Sequence, residues 1–70
     1  MEKYELQNFI KVERAKRDMT QAELAMKVGV SRKTINTIET GKFVPSTITA
    51  LRIAQAFGIP MEELFKLKSP

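Results

Sequence analysis

The sequence predicts an all-α fold, a compact five-helix bundle that forms a single domain over residues 1–70. The segments between Asp18, Gly29, Gly41 and Gly58 consist mainly of good helix formers such as Ala, Leu, Glu, Lys and Gln. Apolar residues recur along these segments at the spacing of a helix with one buried face. No Asn-Gly or Asp-Gly dipeptide marks a β-hairpin. We therefore expect short helices and no strand.

Two helices are predicted in the first part of the chain. The first covers residues 5–17, where apolar side chains at i, i+3 and i+4 form one stripe: Leu6, Phe9 and Ile10. The second covers residues 20–28 and begins with a capping box, in which Thr20 and Glu23 each accept from the other's backbone N–H. Its buried face consists of Leu24, Ala25 and Val28.

A tight turn and a third helix follow. Gly29 can adopt a positive φ, so it ends the second helix. Ser31 is a good N-cap for a helix over residues 31–40, and Gly41 stops that helix. Within it, Ile35 and Ile38 point inward together with Val30.

The last part of the chain contains two more predicted helices. The fourth covers residues 46–57 and carries a complete buried stripe: Ala50, Ile53, Ala54 and Phe57. Gly58 ends it. Pro60 then stands at the start of a fifth helix over residues 61–67, a position that proline tolerates well.

The spacing within residues 20–40 predicts a helix-turn-helix unit. Ala25 is small enough to let the third helix approach the second. Gly29, four residues later, makes the sharp turn, and Ile35, six residues after that, packs back onto the second helix. A generic pair of amphipathic helices would not require a small residue, a glycine and a β-branched residue at these intervals.

The stretch MTQAELAMKVGVSRKTINTIETGKFVPS resembles the Cro/phage-repressor-type helix-turn-helix family, also called the xenobiotic-response-element family. It is most similar to the family's small stand-alone regulators. The similarity extends from about residue 10 to residue 65 and includes EELF near the end. It implies a lambda-repressor-like five-helix domain that binds operator DNA, usually as a homodimer.

Two positions depart from the family pattern. The first helix often has leucine where this chain has Glu13, so either Val12 turns inward or Glu13 makes a local ion pair. The last helix usually begins with serine or threonine, and here Pro60 stands in that place. Neither position lies on the face that would meet DNA.

The third helix is the one that would enter the major groove of DNA. With Ile35 and Ile38 turned inward, four outward residues are candidates for contacts to base edges: Arg32, Lys33, Thr37 and Asn36. Arg and Lys side chains can reach guanine O6 and N7, and a threonine methyl can contact that of thymine. The alternative for Arg32 and Lys33 is a solvated helix face.

Backbone phosphates are expected near the start of the second helix, where free amides and the helix dipole favour anions. Six residues are candidate phosphate contacts: Thr20, Gln21, Ser31, Thr34, Thr40 and Lys42. Thr20 also serves as the N-cap. Lys11, Lys16 and Arg17 are more simply explained as a solvated face.

Two further sets of residues have structural roles in the prediction. The family resemblance implies a partly buried ion pair between Arg14 and Glu39. The last helix carries more apolar residues than the bundle needs, and four residues are candidate dimer contacts: Phe57, Ile59, Phe65 and Leu67. The alternative is that these side chains only complete the core.

Composition limits the classes of function. Twelve Lys and Arg residues against eight Asp and Glu residues give a net charge of +4, which suits a polyanionic partner such as double-stranded DNA. The chain has no histidine, no cysteine and no glycine-rich phosphate loop, so we expect no enzyme, metal site, cofactor or small-molecule ligand. The MEKYELQNF start lacks the apolar core of a signal peptide, and no apolar run is long enough to span a membrane.

The sequence therefore predicts a cytoplasmic, sequence-specific transcriptional regulator, of the repressor type, that binds a palindromic operator as a homodimer. The alternative is a protein-binding module, such as the antitoxin of a toxin–antitoxin pair. An antitoxin usually needs an extra neutralising segment, for which this chain has little room. A pull-down with the product of the neighbouring gene would discriminate between the two.

Overall fold

A computed structural model describes residues 5–69, which form five helices and one two-stranded antiparallel sheet. In chain order the elements are β1 (Glu5–Asn8), α1 (Ile10–Lys16), α2 (Gln21–Val28), α3 (Arg32–Glu39), α4 (Thr47–Phe57), α5 (Met61–Leu64) and β2 (Phe65–Lys68). None of the helices in this part of the chain is both long and apolar enough to cross a bilayer. The prediction that no signal peptide is present rests partly on residues 1–4, which lie outside the described residues.

The two chain ends form a ribbon, so the prediction of helices throughout was wrong at both ends. Residues 5–8 pair with residues 65–68, with Leu6 opposite Leu67 and Asn8 opposite Phe65. The predicted first helix therefore starts only at residue 10, and the predicted fifth ends at residue 64. The physical reason is pairing: each end supplies the hydrogen-bond partners of the other, which no local pattern reveals. Leu6, Phe9 and Ile10, expected on one helical stripe, lie in β1, at the N-cap of α1 and in the first position of α1.

Asn8 joins the ribbon to the helices. Its side-chain Oδ1 accepts from the backbone N–H of Ile10, 3.1 Å away, at the start of α1. Its Nδ2 donates to the carbonyl oxygens of Ile38 and Glu39 at 3.1 and 3.3 Å, at the end of α3. One side chain thus ends β1, supports the start of α1 and hydrogen-bonds to two carbonyl groups in the last turn of α3.

The three central helices begin as predicted. Thr20 and Glu23 form the capping box of α2, with 2.9 Å from the Thr20 N–H to Glu23 Oε1 and 3.0 Å from the Glu23 N–H to Thr20 Oγ1. Ser31 and Ser46 cap α3 and α4 through their side-chain oxygens. The core comprises Ile10, Leu24, Ala25, Val28, Ile35, Ile38, Ile53, Ala54, Phe57 and Leu64.

The candidate dimer contacts separate into two groups. Phe57 is a core residue, only 5% exposed, so it is not available to a second subunit. Ile59 and Phe65 are half-buried against that core. Leu67, by contrast, is 69% exposed. The fourth helix turns Phe57 inward because it continues the stripe of Ala50, Ile53 and Ala54.

Glu13 makes the local ion pair that was one of its two predicted outcomes. Its carboxylate lies 2.8 Å from Arg17 Nη1 and 3.2 Å from Lys16 Nζ, while Val12 stays 49% exposed. Arg17 also donates to the carbonyl of Phe57 at 2.7 Å and lies over its ring, 4.9 Å from the centroid. Glu13 therefore orients the cation that fastens α1 to the end of α4.

Acidification should weaken the fold through Glu13. Hydrogen bonds from Arg17 and Lys16 lower the pKa of this carboxyl below that of an ordinary glutamate. A lowered native pKa gives stability that is present above the unfolded-state pKa and lost as the pH falls through the native one. We expect Glu13→Gln to lower the free energy of unfolding at neutral pH. The difference from the wild type should shrink as the pH falls below the ordinary glutamate pKa, about 4.3, and through the lowered native pKa. Urea titrations of the wild type and Glu13→Gln from neutral to acidic pH measure the free energy of unfolding of each. A difference between them that does not change with pH would contradict the prediction.

Candidate nucleic-acid interface

A single left-handed residue sets the angle between α2 and α3. Gly29 has φ +84°, and its N–H and that of Val30 both donate to the carbonyl of Ala25, at 2.8 and 3.0 Å. This closes α2 and turns the chain sharply before Ser31. Ala25 itself is 4% exposed and lies where the two helices meet, as its small size predicts. The turn and the small residue together place α3 across α2.

α3 has one buried and one exposed side. Ile35 and Ile38 are 0% and 2% exposed and anchor the helix on the core. The opposite side presents five exposed residues: Ser31, Arg32, Lys33, Asn36 and Thr40. Thr34 and Thr37 are half-buried at its margins. The structure therefore brings all four candidate base-contacting residues to one helix, although Thr37 is less accessible than the other three.

Gln21 links the start of α2 to the exposed side of α3. Its Nε2 donates to Asn36 Oδ1 at 3.2 Å, and its Oε1 accepts from Arg32 Nη1 at 3.4 Å. Gln21, a candidate phosphate contact, thus hydrogen-bonds to Asn36 and Arg32, which are two of the candidate base contacts. The sequence pattern of each helix does not indicate these contacts, since they depend on the crossing of the two helices. A polar residue at the first position of both α2 and α3 is the only signal that could have indicated them.

The hydroxyl groups of the candidate set are already engaged within the chain. Ser31 Oγ and Thr34 Oγ1 share a hydrogen bond of 2.9 Å, and Ser31 Oγ also accepts from the Thr34 N–H. Thr37 donates to the carbonyl of Thr34 at 3.0 Å, and Thr40 to that of Asn36 at 2.8 Å. A contact from Thr37 to a base would therefore use its methyl group.

Carboxylates neutralise three of the cations within residues 5–69 and leave the cations of α3 without a salt bridge. Arg14, Lys16 and Arg17, on or next to α1, form salt bridges with Glu13 or Glu39. Within residues 5–69, no carboxylate lies within salt-bridge distance of Arg32, Lys33 or Lys42. The unneutralised cations of α3 and the loop after it thus form a basic surface, defined here by Arg32, Lys33 and Lys42.

One ion pair holds the end of α3 against α1. Arg14 donates to both carboxylate oxygens of Glu39, from Nη2 at 2.7 Å and from Nε at 3.0 Å, and to the carbonyl of Met19 at 2.9 Å. The two side chains are 16% and 9% exposed. The hydrogen bonds with Glu39 raise the pKa of Arg14 further. This pair, which the family resemblance implies, anchors the opposite end of α3 from Arg32.

Comparison with known proteins identifies the architecture. A family model described as "Helix-turn-helix" matches residues 10–64, which covers α1 to α5. The chain belongs to the Cro/C1-type helix-turn-helix family. Members of this family are transcriptional regulators with a DNA-binding helix-turn-helix domain, a typically non-enzymatic class.

Curated relatives agree with this assignment. An HTH-type transcriptional regulator of Methanocaldococcus jannaschii is 47% identical over 60 residues, which cover 86% of this chain and 91% of the relative. A second one, YgzD of Bacillus subtilis, is 41% identical over 63 residues, covering 90% and 96%. Both relatives therefore match this chain over nearly their whole length.

Solved structures show the same fold. A putative DNA-binding protein from Bacteroides fragilis superimposes with a TM-score of 0.78 at 28% identity, over 87% of this chain and 98% of that one. The restriction-modification controller protein C.AhdI from Aeromonas hydrophila gives 0.76 at 28% identity, over 80% and 85%. This helix-turn-helix protein thus has the lambda-repressor type of fold, with a small sheet added by its two ends.

Proposed function

We propose that this helix-turn-helix protein is a sequence-specific repressor that binds a palindromic operator as a homodimer and inserts α3 into the major groove. The observation that carries the proposal is the arrangement of α3. It buries Ile35 and Ile38 and exposes Arg32 and Lys33, unneutralised, at its N-terminal end. An α-helix fits the major groove, and in this motif the N-terminal residues of the second helix meet the base edges.

The proposed base contacts divide by chemistry. Arg32 and Lys33 would donate to guanine O6 and N7, Asn36 would pair with adenine, and the methyl of Thr37 would contact that of thymine. Gln21 Oε1 lies 3.4 Å from Arg32 Nη1, so its proposed phosphate contact would lie beside the proposed base contact of Arg32.

The proposed phosphate contacts surround this base-reading end. Thr20 and Gln21 lie at the N-terminus of α2, where free amides and the helix dipole favour an anion. Ser31, Thr34, Thr40 and Lys42, on α3 or next to it, are the other proposed phosphate contacts. The Thr40 hydroxyl would exchange its hydrogen bond to the Asn36 carbonyl for one to a phosphate oxygen. Such contacts position the protein but carry no sequence information. A partner of this kind would place the protein in the cytoplasm, with the chromosome.

The proposed homodimer follows from the size of the reading surface. One helix of eight residues, Arg32–Glu39, can reach only a few base pairs. Two copies related by a two-fold axis would read two half-sites one helical turn apart, about 34 Å. The symmetry of such a dimer requires a palindromic operator. The C.AhdI protein, a controller of restriction–modification, and the regulators named above support a regulatory role.

Selection of bound fragments from a random DNA pool tests this function. We expect the selected fragments to share an inverted repeat whose halves are about one helical turn apart. Repeating the selection at two salt concentrations separates specific from electrostatic binding, because the latter weakens steeply with salt. Steep salt dependence with no shared sequence would contradict the proposal and leave only non-specific binding.

Gln21→Ala should weaken binding to all sequences about equally. A hydrogen bond to a charged group such as phosphate is worth about 1.5–3 kcal/mol, or about 12- to 150-fold in affinity. Binding assays on the selected operator and on its single-base variants measure this. Gln55→Ala, an exposed glutamine on α4, is the matched control and should leave binding unchanged. A loss confined to one base position would instead assign Gln21 to positioning Arg32.

A further inference from the structure

An exposed apolar surface follows α3 directly. It consists of Phe43, Val44, Ile48 and Leu51, whose exposed fractions are 54%, 67%, 68% and 51%. Ile48 and Leu51 are three residues apart on α4 and so share one side of that helix. We call these four residues the 43–51 surface. Single exposed apolar residues are common, whereas a group this close indicates a contact site.

One groove joins this surface to the ribbon, and a second groove lies beside it. Phe43, Val44 and Pro45 line one of them together with Leu6 and Phe65. The second groove passes between α4 and the ribbon and is also lined by Pro45, Leu6 and Phe65. Its floor includes Thr47 and Ala50. The apolar area therefore continues from α4 onto β1 and β2, and its residues belong to three elements rather than to one loop.

The 43–51 surface is held rigidly to the end of α3. The backbone N–H groups of Lys42 and Phe43 donate to the carbonyl of Thr37 at 2.9 and 3.1 Å. On the ribbon side, Asn8 donates to the carbonyls of Ile38 and Glu39. Anything that docks on this surface is thus fixed relative to α3, with Arg32 at the far end of the helix.

The charge of the chain indicates what can dock there. No charged residue occurs between Lys42 and Arg52, although the chain as a whole carries +4. DNA would need cations at the contact, and the 43–51 surface has none. A second copy of the same cationic chain, by contrast, must avoid opposing like charges at the centre of the interface. An uncharged apolar centre with Lys42 and Arg52 at its rim meets that requirement.

We propose that a second copy of this chain docks on the 43–51 surface and that this contact is the two-fold interface of the operator-binding dimer. The role of this contact in operator binding rests on the proposed function, whereas the contact between the two copies does not require DNA. Of the candidate dimer contacts named from the sequence, Phe65 lines both grooves beside this surface, whereas Phe57 is buried in the core. Because the surface is fixed to α3, pairing through it sets the distance between the two basic surfaces.

Ile48→Glu tests the interface directly. Ile48 is 68% exposed, so a glutamate there disrupts a subunit contact without disturbing the core. Met26→Glu is the matched control, since Met26 on α2 is 83% exposed and lies outside the surface. Sedimentation velocity of the full chain without DNA should give a dimer for the wild type and Met26→Glu, and a monomer for Ile48→Glu. Val44→Glu, a second variant in the surface, should also be monomeric, and circular dichroism should show all of them folded.

DNA binding separates this proposal from the proposed function. Ile48→Glu should bind a single half-site as the wild type does, yet lose the tighter binding that the wild type shows for the complete inverted repeat. A wild-type mass for Ile48→Glu and Val44→Glu, or a monomeric wild type at every concentration, would overturn the interface while leaving half-site binding intact. If neither the wild type nor any variant preferred a particular DNA sequence, the proposed function would be overturned instead.

Discussion

Glu39→Ala is expected to remove a large part of the stability of the molecule. The substitution leaves the Arg14 guanidinium, 16% exposed at its side chain, with only the carbonyl of Met19 as partner. Breaking a buried ion pair by deleting one partner costs about 3–5 kcal/mol, because a charge remains without compensation. A chain of this length is stable by only about 4–10 kcal/mol. The free energy of unfolding, from urea titration followed by circular dichroism, measures the loss.

Two controls isolate the cause. Glu62→Ala removes an exposed carboxylate of α5 and should change stability by less than about 0.5 kcal/mol. The double substitution Arg14→Met with Glu39→Leu removes both charges and fills similar space, so it should recover most of the loss. A loss below about 1 kcal/mol for Glu39→Ala would show that water solvates the pair as it does a surface salt bridge.

Arg32→Ala should remove the preference for one base pair in each half-site. A bidentate contact from arginine to guanine discriminates by about 1–3 kcal/mol, which is about five- to 150-fold in affinity. We expect the wild type to show that penalty when this base pair is changed and the variant to tolerate all four base pairs there. Binding to a complete set of single-base variants of the selected operator measures the effect.

For Arg32→Ala, the base position at which affinity is lost is more informative than the size of the loss. Lys66→Ala removes an exposed cation of β2, far from α3 in sequence, and should leave the base preferences unchanged. Because Arg32 has no carboxylate partner, its removal should not destabilise the free protein. A uniform weakening across all sequences would assign Arg32 to a phosphate and contradict its proposed role in base recognition.

The central helices could be predicted from sequence because their signals are local. Caps at Thr20, Ser31 and Ser46, with stops at Gly29 and Gly58, mark ends within one or two residues of those observed. The apolar residues that each helix buries likewise all lie within that helix. The resulting burial of Ile35 and Ile38 determines which side of α3 is exposed, so the candidate base contacts could be named from sequence alone.

The ribbon could not be predicted in this way. Its strands are separated by the whole bundle and are only four residues long. β1 has a single apolar residue, Leu6, and in β2 Phe65 and Leu67 alternate with lysines. The spacing of Leu6, Phe9 and Ile10 also fits a helix, so the pattern at the start of the chain does not distinguish a strand from a helix. The contacts from Gln21 to α3 and from Asn8 to the end of α3 were missed for the same reason: they join residues distant in sequence.

In the proposed complex, α3 lies in the major groove with its N-terminal cation at the base edges. Substituting the purines of the selected half-site, one at a time, by 7-deaza analogues removes only the major-groove N7 acceptor. We expect affinity to fall at the position that Arg32 contacts and Arg32→Ala to abolish the difference, whereas inosine for guanine, which leaves the major-groove edge unchanged, should have no effect. Unchanged affinity with every 7-deaza purine, together with a loss on inosine substitution, would place the contact in the minor groove and contradict this arrangement.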